Sequence, residues 1–235
     1  MLNPHPAVAS LDIGGATPCI VIDDALSDPQ ALVDLAALHR EAFDAPTRNA
    51  YPGLELPLPG TLVERFSEHF AVHARRRLGA RRVLDAHGRL SMVTLQPQEL
   101  SPLQRVCHRD RMFTSADECA IAAVLYLFRD EALGGTSFFS PKQGLPETEA
   151  LMDGWSRMET PRFEQETGRA PGYMTASNPH FSLLRTVAPR WNRLIYYDGG
   201  QFHNSHIEHP ALLSGEPGRG RLTVNLFFRC SRVAA

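Results

Sequence analysis

Lysine is almost missing from this chain: among 24 basic side chains only Lys142 is not arginine. Nearly all positive charge therefore sits on guanidinium groups, which favour fixed, bidentate contacts over flexible ones, although base composition of the gene would leave the same mark. An excess of either charge is missing too. The formal net charge of -2 predicts neither electrostatic steering toward nucleic acid nor a polybasic membrane surface. No apolar run reaches the 18 residues a membrane-spanning helix needs. Met1 to Pro6 carries no basic stretch leading into an apolar one, so no signal peptide is expected. The four cysteines, at 19, 107, 119 and 230, contain no CxxC and no close spacing. They are expected to be reduced, mostly buried thiols in a cytoplasmic protein. Repeats and low-complexity tracts are lacking as well. What remains is a chain of 235 residues, 43% hydrophobic, enough for one well-filled core and too short for two large ones. A single domain over 1–235 is the expectation.

Residues 1–18, rich in Pro, Gly and Ala, suggest an irregular arm. Cys19 to Asp24 reads as a short strand, and Ser27-Asp28-Pro29 as a helix start with Ser27 or Asp28 capping. Leu32, Leu35, Ala36 and Leu38 mark the helix that follows, to about residue 43. Tyr51 to Gly60, with its prolines and glycines, reads as loop. Thr61 with Glu64 forms a capping box for a second helix bearing Leu62, Phe66 and Phe70 and ending near Gly79. Arg75-Arg76-Arg77 falls in its last turn, where positive charge suits the helix dipole. Residues 19–80 thus form a strand and two helices expected to pack on a core built from 88–230. In that core, eight strands are predicted: Leu90–Leu95, Leu103–Cys107, Ile121–Phe128, Ser137–Phe139, Phe181–Val187, Arg193–Tyr197, Gln201–His206 and Leu222–Phe228. Gly134-Gly135 and Gly199-Gly200 are turn signals between strand pairs. The stretch 141–176, with one weak helical segment near 147–158, reads as an insertion. Strands after two helices imply a mostly β sandwich or barrel with helices covering one sheet.

Chemistry concentrates in Cys107-His108-Arg109-Asp110 and Phe202-His203-Asn204-Ser205-His206. In extended backbone, residues two apart point the same way, so His108 and Asp110 can present an imidazole and a carboxylate to one point. The triplet follows an apolar strand, precedes the polar loop Arg111 to Glu118, and a histidine from elsewhere would complete two histidines and a carboxylate on one face. That set suits non-haem Fe(II), while a His–Asp hydrogen bond of purely structural purpose uses the same residues. His203 and His206 lie on opposite strand faces and compete for the distal place. His203 is preferred because Phe202 would pack behind it, and His209, beside Pro210, is expected in a surface loop. In Arg221 to Phe228, Leu222, Val224, Leu226 and Phe228 alternate with Arg221, Thr223, Asn225 and Phe227. If the polar row faces inward, a buried Arg221 needs an anion, and a dicarboxylate would bind it in bidentate form. Arg219 has the same parity without a hydroxyl two residues on.

Taken together, His108-x-Asp110, Ala122–Phe128 with Gly134 to Phe139, Phe202-His203 and Arg221-Leu222-Thr223 resemble the Fe(II)/2-oxoglutarate-dependent dioxygenases. The resemblance implies a double-stranded β-helix, or cupin-like jelly roll. It also implies iron on His108, Asp110 and His203 (with His206 as the alternative), and 2-oxoglutarate on Arg221 and Thr223 with Tyr126 near the same carboxylate. Val21 to Leu26, Tyr51-Pro52-Gly53 and Pro57-Leu58-Pro59 resemble a bacterial, DUF6445-like group within that superfamily, which extends the similarity over most of 19–229. The stretch between Asp110 and His203 is longer than in the tightest members, so 141–176 must loop out. Its Trp155, Phe163 and Tyr173 make it a candidate lid over the substrate, although ordinary packing explains the same aromatics. The implied activity is hydroxylation of a small molecule, amino acid or peptide, since members that halogenate lack the carboxylate found at position 110. Two other classes use much of the same residue set: a metal-dependent cupin enzyme without 2-oxoglutarate, which has no need of Arg221-x-Thr223, and a non-catalytic ligand-binding protein. A nucleic-acid demethylase is disfavoured by the charge balance and the lack of a basic stripe.

Overall fold

A computed structural model describes residues 2–46, 50–110, 115 and 117–232. In order, the chain forms β1 (Val8–Leu11), β2 (Cys19–Ile22), α1 (Gln30–Leu38), β3 (Gly53–Pro57), α2 (Gly60–His73), β4 (Ala80–Val93) and β5 (Glu118–Tyr126). Then come β6 (Thr136–Pro141), α3 (Leu145–Ser156), α4 (Thr160–Thr167), β7 (Phe181–Val187), β8 (Leu194–Asp198), β9 (Phe202–Ser205) and β10 (Arg221–Arg232). Two antiparallel sheets result, one of seven strands in the order β1-β2-β8-β5-β10-β4-β3 and one of three in the order β7-β6-β9. The architecture is a jelly roll, a double-stranded β-helix, with α1 and α2 against the large sheet and α3 and α4 against the small one rather than helices over one sheet alone.

The glycine pairs mark where the chain changes sheet. Gly134-Gly135 carries it from β5 to β6, and Gly199-Gly200 from β8 to β9; in both cases the flanking strands belong to different sheets. These turns are therefore crossovers, not hairpins within one ladder as the sequence suggested. Gly134 has φ 86°, and a Cβ there would lie 1.8 Å from the His206 carbonyl oxygen. Only glycine fits that conformation and that approach.

β10 organises the packing. Its Leu222, Val224, Leu226 and Phe228 join Phe66 and Phe70 of α2 in the main apolar core, with the Phe70 and Phe228 rings stacked at 4.5 Å. Its opposite face carries Arg221, Asn225 and Phe227 into a cavity. A second cluster between the sheets holds Tyr126, Phe138, Ile195 and Tyr197. A third packs Trp155 and Phe163 of α3 and α4 on Phe139, Phe181, Phe202, Val106 and Cys107.

Several elements differ from expectation for identifiable reasons. β1 lies within the supposed arm, and β3 within the supposed loop. β3 is an edge strand, where Pro57 at its end leaves the ladder intact. β4 begins ten residues early, because Arg81 to His87 alternate poorly and are largely exposed. Leu103–Cys107 is not a strand: Pro102–Arg105 forms one 3-10 turn, fixed by a capping box between Ser101 and Gln104 with Pro102 in the first turn. The Thr61–Glu64 capping box does not form, since α2 already starts at Gly60. Asp28 does cap α1, accepting the Ala31 N–H at 3.3 Å. Arg75 to Leu78 makes a 3-10 turn that ends at Gly79 in the left-handed region. The insertion holds two helices; the short, polar α4 has Pro161 in its first turn as its one sequence signal. All four cysteines are free thiols and buried. Among the described residues, no helix is long and apolar enough to cross a membrane.

Candidate metal centre

After the 3-10 turn, Val106 and Cys107 are buried and the chain runs alongside β9. His108 and His203 form a two-way backbone bridge, each N–H donating to the other's carbonyl at 2.9 Å. The Asp110 N–H donates to the Gly199 carbonyl at 2.8 Å. The polar loop read over Arg111 to Glu118 falls mostly outside the described residues. These bonds bring the two poles of the sequence face to face, with imidazole centroids 4.5 Å apart.

His108, Asp110 and His203 offer one donor atom each, all within 4.8 Å of one another. His108 Nε2 lies 3.8 Å from Asp110 Oδ1, and His203 Nε2 lies 3.7 Å from Asp110 Oδ2. These distances are too long for hydrogen bonds and suit three ligands around one ion at roughly 2 Å each. His203 Nδ1 stands 2.8 Å from the Gln201 carbonyl. A carbonyl only accepts, so Nδ1 carries the proton and the Nε2 lone pair is left for a ligand bond. Asp110 Oδ2 is sealed from solvent with no hydrogen-bond partner. Such an acceptor calls for a cation or an ordered donor. Burial pushes the Asp110 carboxyl up, and desolvation brings His203 down to about 4, leaving a neutral imidazole at neutral pH. His108 stands at the cavity mouth with half of its side chain exposed. The chemistry of this donor set fits a divalent first-row metal, and bound iron would favour the ionised carboxylate that burial alone resists.

The cavity encloses about 570 Å³. Arg221 lines it with 2% of its surface exposed, and its Nε and Nη2 donate to the carbonyls of Gly134 and Gly135 at 3.0 and 2.8 Å. The hydrogens of Nη1 and the second of Nη2 stay available on the other edge of the fork. Thr223 and Tyr126 do not line the cavity. Thr223 is buried with its hydroxyl 3.4 Å from the Ser91 carbonyl, and the Tyr126 hydroxyl bonds Thr136 Oγ1 at 2.7 Å. His206 turns away from Asp110, with Nδ1 2.8 Å from Ser137 Oγ and Nε2 3.7 Å from Glu208. Arg219 and His209 are exposed. In the insertion, Trp155 and Phe163 pack on each other in the third core, 5.5 Å apart and edge to face, whereas Tyr173 and Met152 line the cavity.

Tyr197, Arg89, Tyr51 and Arg109 line the cavity although the sequence did not mark them for it. Tyr197, on β8, meets His203 edge to face at 4.8 Å. The Ile195/Tyr197 alternation of β8 was the signal, since it places Tyr197 on the inter-sheet face. Arg89 lies over Phe227 and pairs with Glu55 at 2.8 Å; it falls just ahead of the strand predicted from Leu90. Tyr51 lay in the supposed loop. Arg109 is, in the sequence, only the spacer of the triplet.

The family described as "Family of unknown function (DUF6445)" matches residues 4–228. No curated protein matches the sequence. The chain is similar in structure to SnoK, a non-haem α-ketoglutarate-dependent carbocyclase from nogalamycin biosynthesis. That likeness has 14% identity, coverage of 90% of this chain and 79% of the other, and a TM-score of 0.51. The epimerase SnoN, in complex with Fe3+, α-ketoglutarate and nogalamycin RO, gives 12%, 92% and 81%, and 0.50. A prolyl-4-hydroxylase from Pseudomonas putida gives 15%, 92% and 93%, and 0.46. At such identities the shared property is the jelly-roll fold.

Proposed function

The chain belongs to the DUF6445 family, and from that premise we propose that it is an Fe(II)- and 2-oxoglutarate-dependent oxygenase hydroxylating a small molecule, amino acid or peptide. The observation that carries the reading is the buried Asp110 carboxylate, its Oδ2 without a hydrogen-bond partner, grouped with the imidazole nitrogens of His108 and His203. His108, Asp110 and His203 would hold the iron. Iron, with 2-oxoglutarate and O2, would supply there an oxidant for a substrate C–H.

Arg221 receives the distal carboxylate of 2-oxoglutarate on its open edge, because its other edge is already held by Gly134 and Gly135. Tyr197, which lines the same cavity where Tyr126 does not, would stand beside the cosubstrate. Thr223 and Tyr126, which do not line the cavity, would support its wall. Phe227 and the insertion residues Met152 and Tyr173 line the same cavity and would contact the substrate. Four buried thiols suit a reducing compartment such as the cytoplasm, and a charge of -2 suits a small-molecule or peptide substrate better than a nucleic acid.

Anaerobic titration with Fe(II) and 2-oxoglutarate tests the reading. The visible charge-transfer band of the chelate is expected in the wild type and in His206→Ala, and not in His108→Ala or His203→Ala. A folded wild type without the band leaves the ligand-binding reading ahead.

A further inference from the structure

The segment bearing His108 and Asp110 is fastened to the insertion by two arginine–glutamate pairs four residues apart. Arg105, 1% exposed, pairs with Glu164 of α4 at 2.5 Å while its Nε donates to the Leu100 carbonyl. Arg109 pairs with Glu149 of α3 at 3.0 Å, donates through Nε to the Gly200 carbonyl at 2.6 Å, and lies over the Phe202 ring at 5.7 Å. Between these clips, Val106 and Cys107 are buried in the same apolar cluster as Trp155 and Phe163. The Asp110 N–H is bonded to the Gly199 carbonyl, and a Cβ on Gly199 would come within 2.9 Å of Asp110 Oδ2. The insertion, the glycine turn and the ligand pair thus meet at one guanidinium.

We infer that Arg109 is a positioning residue, and that α3, through Glu149, fixes the aim of His108 and Asp110. The inference rests on the oxygenase reading for the identity of the metal, not for the coupling itself. A planar guanidinium can bond the Gly200 carbonyl and Glu149 together from opposite parts of its fork, whereas a shorter amide or an ammonium cannot hold both. Because residues behind metal ligands set ligand orientation, losing one costs roughly ten- to hundredfold in metal affinity. The insertion is, on this view, a scaffold of the metal centre before it is a cover.

The test uses the full-length protein as Arg109→Gln, Arg109→Lys and Glu149→Gln, with Co(II) as the metal probe. Amide hydrogen exchange across 106–110 and 145–156 is measured without metal; Co(II) affinity and visible ligand-field spectrum are measured with it. In folded Arg109→Gln, faster exchange across 106–110, about tenfold weaker Co(II) binding and an altered spectrum are expected. Arg109→Lys should recover part of each, and Glu149→Gln should show faster exchange in both stretches with a smaller loss of affinity. Unchanged exchange and unchanged Co(II) affinity in a folded Arg109→Gln overturn the inference. If Co(II) binds to none of the proteins, wild type included, but exchange rises in the variants, the positioning role stands and the oxygenase reading falls.

Discussion

Arg221 is buried without a carboxylate partner among the described ion pairs, and two glycine carbonyls hold one side of its fork. Arg221→Ala should therefore weaken 2-oxoglutarate binding by roughly ten- to hundredfold, the worth of one charged hydrogen-bonded contact, about 1.5–3 kcal/mol. Fe(II) affinity should be kept, because Arg221 is not a ligand; anaerobic titrations of each component separate the two. An unchanged 2-oxoglutarate affinity removes the assigned role. At this scale the sequence was legible where strand alternation applied. His203 faces inward because Phe202 packs outward, and Arg221 shares a face with Asn225 and Phe227. Alternation gives a face but not what a hydroxyl meets at its tip. Tyr126 is on the inward face, as expected, yet Thr136 takes its hydroxyl, and the neighbouring β8 supplies Tyr197 to the cavity.

Among the elements, α2 matters most to the large sheet. Phe70 is fully buried, stacks on Phe228 and stands 5.4 Å from the Tyr196 ring. Phe70→Ala should destabilise the protein by about 3–5 kcal/mol in urea denaturation, the usual cost of an aromatic core cavity. The Fe(II) and 2-oxoglutarate band should persist below the transition, because the helix packs on the face of β10 opposite the cavity. A band lost at full folding would show that the two faces are coupled. Elements with strong apolar periodicity, such as α2, β5, β7 and β10, were readable in the sequence. Those that were missed are short or lie at a sheet edge: β1 and β3 have one partner each, and the first half of β4 is exposed. Local polarity there outweighs the pattern, and only strand pairing holds the backbone extended.

For the whole molecule, acid sensitivity follows from histidines folded in the neutral form. His69, 6% exposed on the buried face of α2 with Nδ1 3.0 Å from the Tyr196 hydroxyl, is brought down to about 4 by burial, with His73 adding to the effect. Its unfolded value is 6.5. Between pH 6.5 and 4 the unfolded chain binds the extra proton and the native state does not, so stability is full above about 6.5 and falls as the pH drops toward 4. The full contribution is about 3 kcal/mol. His203 changes in the same sense when no metal is bound. Urea denaturation at pH 7 and pH 5 should show a loss in the wild type that is clearly smaller in His69→Gln; equal losses remove His69 as a cause. Metal should flatten the part that belongs to His203, since a ligated imidazole no longer takes the proton.

By itself the sequence determined the class of protein. Residue type and a period of two were enough for a mostly β core behind N-terminal helices, two histidine-bearing poles and a half-apolar final strand, while the jelly roll and the metal triad are what the family resemblance implies. The tertiary structure decided which histidine faces Asp110, that Thr223 and Tyr126 stand behind the wall, that Tyr197 joins it, and that Arg109 and Arg105 tie the triad to the insertion. Those facts depend on which strands cross between sheets and on where a long side chain ends. Both are set by packing among residues far apart in the chain, where no local pattern records them.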